Sequence, residues 1–497
     1  MEVLRFLGLP AFVRKFISAL LTVIILLLPK SMFTTEVAEN QYMLTGDSVF
    51  SDVQGDGWSV GFSESVLTPA DVTADTYYIA GYNTNNPATG VLDDMYAKAV
   101  YLDDNTGRGG VVLCAIDCVG ISRADINDIR QIVIESGEIP SLKSINICAT
   151  HTHSAIDTQG LWGKAFYSDG KNDDFMNALK EKTADAIISA YKARENGNLY
   201  FGTAQTDGLL TDTRTPVDYD STLTSIRFAP ANGGRNTYIV NFACHAEMLG
   251  SNTNVVSADF PAYMAKEIDA QTGGANVVFV NGAIGGLVTG AEIDTFLKGE
   301  LSECIEHTKQ FGKNVADAVI GITNETKLHP IINIKSASVS VHCENTALLL
   351  ARFIGVLNND MALSDNHKVS IITEVSYMEL GSHQIGIFMI PGELSPELAS
   401  GNFLSAEESA NGVDAQYKVL SEMSRCERTF VLGLCNDELG YIIPENDFML
   451  HEWLPYFNIP YDSFDRKHYE ETNSVGPATA GTLLEAMDKL IVSASAD

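Results

Sequence analysis

Residues 144–154 read Ser-Ile-Asn-Ile-Cys-Ala-Thr-His-Thr-His-Ser, and they constrain the chain more than any other stretch. Ile145, Ile147 and Ala149 alternate with Asn146, Cys148 and Thr150, the period of a short buried strand. That strand runs directly into Thr150-His151-Thr152-His153-Ser154. Side chains two residues apart on an extended backbone share a face. His151 and His153 would therefore point the same way if the extended geometry persists. Neutral imidazole is a common zinc ligand. Two histidines hydrogen-bonded in a loop is the competing reading, and a pattern as short as His-X-His does not decide between them.

With 497 residues, 45% hydrophobic and 19% charged, the chain can bury a sizeable core, as several domains or as one large one. Its net charge of −32 repels nucleic acid and anionic headgroups at long range, which argues against a nucleic-acid partner. A lipid-like substrate stays open, because a pocket's chemistry matters more than the mean field. At the start, Arg5, Arg14 and Lys15 precede the apolar run Phe16–Pro29. A basic start and so short a run fit a signal peptide better than a spanning helix. No small-x-small cleavage site precedes Glu36, so an uncleaved anchor is the alternative. We expect a signal peptide or N-terminal membrane anchor over 1–33, a polar linker over 34–56 and one domain over 57–497. The body is then exported, either secreted or anchored, and membrane contact would come through the N-terminal segment. The eight cysteines show no compact disulfide framework and no Cys-x2-Cys spacing, so buried thiols are expected.

Strand-like and helical runs alternate irregularly. Met95–Leu102 and Gly109–Ile116 form a hairpin signal, and helices are expected at Arg123–Ser136, Asn172–Glu195 and Asn345–Met361, with others near Ser405–Ser424. The expected fold class is α/β: a mixed sheet with surrounding helices in a single large catalytic domain. Polar groups gather where apolar runs end. His151 and His153, then His245, Glu393 and Tyr441, each follow one. Strand ends bring distant residues together on a rigid frame. Two histidines, a carboxylate and an open position make a catalytic zinc site. Zinc would lower the pKa of its water towards about 7 and polarise a carbonyl, and a nearby imidazole would protonate a leaving group. Glu393 has a simpler alternative as a helix cap before Ser395. No Gly-x-Ser-x-Gly, His-Glu-x-x-His or Gly-x-x-x-x-Gly-Lys-Ser/Thr pattern occurs.

Thr150-His151-Thr152-His153-Ser154 resembles the Thr-His-Thr-His-Ser-Gly-Pro motif of the neutral/alkaline non-lysosomal ceramidases. The likeness continues in order. It takes in Asn241–His245 with Asn252–Asn254 and Ser257–Asp259, then Pro391-Gly392-Glu393. It ends with Gly433–Asn436 through Gly440–Ile442, and Tyr469-Glu470 with Gly476-Pro477. The resemblance implies an amide hydrolase with one Zn2+ per chain, acting on ceramide or another small-molecule or lipid amide. By position, His151, His245, Glu393 and Tyr441 would be the metal ligands. His153 would be the catalytic proton donor or a substrate contact, and Asp117 and Asp259 would orient a ligating histidine.

The departures fall in the loops. The family's Gly-Asp-x-Ser-Pro-Asn segment corresponds to Gly285–Gly290, so its aspartate becomes Gly286 and its serine Val288. Gly285, Gly286 and Thr289 are the expected substrate-loop residues, with Thr289 replacing the serine only if the loop shifts by one. Gly90–Asp94 lacks the family's histidine and arginine, and Ala155-Ile156 stands where the family has Gly-Pro. The family's C-terminal immunoglobulin-like domain is not expected here. Two alternatives to ceramide hydrolysis remain: a zinc hydrolase of another amide or ester, and a catalytically silent binding protein that retains the fold.

Overall fold

The strand expected after residue 142 spans Leu142–Ala149 and is buried from its second residue onward. The structure is a computed structural model and describes residues 20, 42–165, 168–291, 293, 297–363 and 368–495. Apart from Leu20, the expected export segment lies outside the described residues, among which no helix is long and apolar enough to cross a membrane.

The expected α/β fold with a mixed sheet and surrounding helices is present, its strands falling into two large sheets. The first contains β1 (Trp58–Val66), β2 (Tyr96–Asp103), β3 (Gly110–Ile116), β4 (Leu142–Ala149), β5 (Glu195–Gln205), β6 (Thr222–Pro230), β7 (Asn236–Phe242) and β8 (Ala275–Asn281). Their spatial order is β8-β7-β6-β5-β1-β2-β3-β4. The centre is antiparallel, and a parallel pair lies at each edge, β8 with β7 and β4 with β3. The expected hairpin is present as β2 and β3, with Leu102 opposite Val111. The second sheet places β9 (Ile332–His342), β10 (Val369–Leu380), β11 (Ile385–Met389) and β12 (Arg428–Leu432) side by side in that order.

Alternation along the strands sorts side chains into layers. Val100, Leu102, Leu113 and Val280 of the first sheet meet Ile334, Met378, Ile387 and Leu432 of the second in one apolar cluster. The opposite face of the first sheet packs Val112, Ile147 and Phe279 against α1 (Arg123–Ser136), α2 (Asp173–Lys192), α3 (Phe260–Thr272) and α4 (Leu301–Ile320). The second sheet's outer face packs Val341, Ile371 and Val375 against α5 (Thr346–Phe353) and α6 (Thr479–Ser495). The result is a helix–sheet–sheet–helix stack. Local signals set the helix ends: the Ser122 hydroxyl caps α1 by accepting from the Asp125 N–H (3.2 Å), and Gly137 at φ 65 stops it.

The first sheet closes upon itself at one end. The side-chain amide of Asn281, at the end of β8, donates to the Thr150 carbonyl just after β4 (2.8 Å). Residues 433–436 fill the seam. Gly433 N–H donates to the Asn281 carbonyl (3.1 Å), Ala149 N–H to the Leu434 carbonyl (3.0 Å) and Asn436 N–H to the Ile147 carbonyl (2.8 Å). The Asn436 side chain acts as a further strand partner, accepting from Ile147 N–H (3.0 Å) and donating to Asn146 (3.1 Å). A Cβ on Gly433 would overlap the Gly282 carbonyl, so glycine is required at that approach.

Two expectations change. Residues 42–56 are docked rather than a free linker: Asp47 accepts from the buried Lys143 ammonium (3.2 Å), and Phe50 stacks on Tyr377 at 6.1 Å between centroids. Lys143 is deeply buried and needs that carboxylate. The helix expected over Asn345–Met361 stops at Phe353, because Gly355 turns the chain at φ 82. The Ser405–Ser424 region holds only the four-residue helix Leu420–Met423. Seven of the eight cysteines are buried, and Cys426 is half-buried.

Asn436→Ala leaves the buried Ile147 N–H without its partner. It is expected to cost about 1–3 kcal/mol, read as a lower urea midpoint at unchanged slope.

Candidate metal centre

Closure of the sheet brings the ends of β4 and β7 together, and with them three histidines. His151 does not continue the strand. Its φ is 62, a conformation that non-glycine residues adopt mainly where surrounding structure enforces it. The two imidazoles therefore converge through a turn, not through strand alternation. His151 Nδ1 lies 2.5 Å from the Val119 carbonyl and His245 Nδ1 lies 2.8 Å from the Val288 carbonyl. A carbonyl only accepts, so each Nδ1 carries the hydrogen and each Nε2 is left to face the centre.

Four donor atoms meet there. His153 Nε2 is 3.2 Å from His151 Nε2, while Glu393 Oε2 is 3.0 Å from His245 Nε2 and 3.6 Å from His151 Nε2. Ligands about 2.0–2.1 Å from a tetrahedral zinc stand roughly 3.3–3.4 Å apart. The spacing and the nitrogen–oxygen donor set fit that ion. The three histidines form one of the metal-type groups among the described residues.

The charges fit as well. Burial, with His153 and His245 nearby, holds His151 down at about 3 despite the Glu393 carboxylate. Burial and His245 hold His153 at about 3. Burial opposes charge on His245 too, but its Glu393 hydrogen bond and carboxylate outweigh this and raise it to about 9. The pocket thus favours one positive charge beside Glu393.

Glu393 is presented by a short parallel pairing of Glu393–Leu394 with Tyr441–Ile442. Tyr441 lines the same cavity, of about 140 Å³. Burial, then the Glu393 charge, pushes its phenol well above the ordinary range, so it is neutral without a nearby cation. His153 differs from the other two histidines. Its side chain is 12% exposed, and its Nδ1 has no hydrogen bond, lying 3.7 Å from Glu247. The Tyr82 hydroxyl donates to that same carboxylate.

The remaining expected residues lie around the centre in other roles. Asp117 accepts from Tyr96 N–H (2.8 Å). Asp259 accepts from the Met248 and Leu249 N–H groups (both 3.1 Å), fixing the segment that follows His245. Backbone carbonyls, rather than either carboxylate, hold the His151 and His245 rings. Burial raises Asp117 to about 6 and Asp259 to about 7. The Gly285–Gly290 loop braces the centre from behind. Gly285 N–H donates to the Leu394 carbonyl (2.8 Å), and the Gly286 carbonyl accepts from Arg214 N–H (3.2 Å). Thr289 is buried with its hydroxyl unpartnered. Gly285, Gly286 and Thr289 do not line the cavity. Sequence reading missed Tyr82 and Glu247. The His245-Ala246-Glu247 spacing was a signal for the latter, whereas the Val119 and Val288 carbonyls leave no signal at all.

No protein-family model matches the chain, and no curated protein matches it in sequence. Among solved structures, neutral ceramidase from Pseudomonas aeruginosa matches with a TM-score of 0.66 at 13% identity, over 89% of this chain and 75% of that one. A ceramidase complexed with C2 matches with a TM-score of 0.66 at 12% identity, over 88% of this chain and 75% of that one. The chain has the fold of neutral ceramidase, as the order of its motifs implied.

Gly81 has φ 114, and a methyl there would lie 2.5 Å from His153 Cβ. Gly81→Ala should displace that ring while costing Co2+ affinity less than the roughly 10–100-fold expected on loss of a partner that orients a ligand, read by optical titration with the fold checked by circular dichroism.

Proposed function

We propose that the chain is a zinc-dependent hydrolase cleaving a linear amide, with a ceramide-like N-acyl amide as first candidate and another amide or an ester as alternatives. The observation that carries this reading is the pair of rings locked through Nδ1, whose Nε2 atoms converge with Glu393 beside a cavity. In this reading His151, His245 and Glu393 hold one Zn2+, and Tyr441 beside Glu393 supplies a fourth donor. Zinc, when bound, supplies Lewis acidity and makes water a nucleophile near neutral pH.

The chain's own groups supply the rest. Val119 and Val288 keep Nδ1 of both ligating rings protonated, which fixes their orientation. His153 has no such lock, lines the cavity and is held neutral by burial, so its Nε2 would take the proton released by the attacking water and pass it to the leaving nitrogen. The cavity wall excludes water from the bond being broken. Ceramidases among the structural matches support the amide as the bond class, and the basic-then-apolar start supports export.

One observation favours a second reading, a silent ligand-binding protein. Val288 occupies the family's serine position, its side chain is fully buried, and only its carbonyl serves the centre.

Zinc-loaded protein should hydrolyse at least one member of a panel of N-acyl sphingosines, simple amides and esters. Chelation should abolish turnover and zinc should restore it. His245→Ala should lower kcat/KM by more than the roughly 10–100-fold expected of an outer-sphere change. A folded protein that binds zinc but leaves every substrate at background would retire the hydrolase in favour of the binding protein.

A further inference from the structure

The cavity beside the centre is small. At about 140 Å³ it compares with the cavity of about 150 Å³ that binds benzene, a group of roughly six heavy atoms. Leu348, Leu357, Ile371, Leu439 and Val475 give it apolar walls. Gln159 and Glu438 also line it, and Gln159 Nε2 and Glu438 Oε2 are buried without a hydrogen-bond partner. Both residues are otherwise held: Gln159 N–H donates to Asp157 (2.8 Å), and Glu438 Oε1 accepts from Gly440 N–H (2.9 Å). They flank Gly120, where a Cβ would lie 2.6 Å from Glu438 Cγ and 3.2 Å from Gln159 Nε2. The two residues therefore stand side by side on the wall of one small cavity. Buried polar groups of this kind select ligands that satisfy them.

Resting on the hydrolase reading, we propose that Gln159 and Glu438 recognise a hydroxyl on a compact acyl group, so that the enzyme acts on short hydroxyacyl amides in preference to long saturated ones. A hydroxyl oxygen accepts from Gln159 Nε2. It also suits either state of Glu438, donating to an ionised Oε2 or accepting from a protonated one. Burial and the Glu393 charge push this carboxyl well above its ordinary range, which favours the second arrangement.

The test uses zinc-loaded protein and the 4-nitroanilides of butanoic, 3-hydroxybutanoic and hexadecanoic acids. The 3-hydroxybutanoyl compound should exceed the butanoyl one in kcat/KM by about tenfold or more, and the butanoyl compound should exceed the hexadecanoyl one by a similar factor. The hydroxyl preference should fall to within about threefold in Gln159→Leu and in Glu438→Leu. Calorimetric titration of the same proteins with 3-hydroxybutanamide and butanamide reads the pocket without turnover. If no anilide is cleaved but the hydroxyamide binds more tightly through Gln159, the pocket assignment stands and the hydrolase reading falls. Best turnover of the hexadecanoyl compound overturns the assignment. So does a hydroxyl preference that is absent, or unchanged in both variants, in turnover or, without turnover, in binding.

Discussion

The structure depends on one junction, where the two edges of the larger sheet meet. Asn281 reaches the Thr150 carbonyl, and residues 433–436 bond to both sides of the gap. Without that contact His151 and His245 would stand at the ends of strands separated by most of the sheet's width. The segment that fills the seam follows β12 of the smaller sheet, and the Glu393 segment follows β11. Both sheets thus deliver residues to one place, and the apolar layer between them holds the sheets in register.

The same closure explains the electrostatics. A closed seam excludes water, so three imidazoles and a carboxylate are gathered in a poorly solvated space. Neutral rings are favoured there, apart from the one that pairs with Glu393. In the proposed reading a divalent ion would replace that single proton and be held by His151, His245 and Glu393. The acidic surface plays no direct part in this. What matters locally is that, among the described residues, no lysine or arginine lines the cavity to compete for Glu393.

Much of this was legible in sequence because it depends on side chains at strand ends. The apolar run before His151, the Pro391-Gly392-Glu393 turn and the Gly433–Asn436 segment each announce themselves by residue type. The pairing of strands did not. β4 is buried on both faces, and such a run does not say which sheet lies over it. Helical periodicity over Asn345–Met361 continued past Gly355, where a positive φ turned the chain into the cavity wall. The polar stretch before Trp58 had a linker's composition, but Asp47 was needed by a buried lysine far away in sequence. The substrate role expected of the Gly285–Gly290 loop came from the resemblance, whereas its position behind Glu393 follows from hydrogen bonds to the Leu394 and Arg214 backbones.

The carbonyls of Val119 and Val288 have a further consequence. Every amino acid carries the same carbonyl, so any residue that preserves the backbone path at these positions would hold the imidazoles equally well. Mutational scanning would then report both sites as tolerant although the centre relies on them. Over long divergence their side chains could drift without altering the tautomers. Position 288 illustrates this: its side chain is valine, yet its carbonyl makes the contact to the His245 ring. A fold shared at 13% identity is compatible with a centre oriented by main chain, since drift of this kind leaves the orienting atoms untouched.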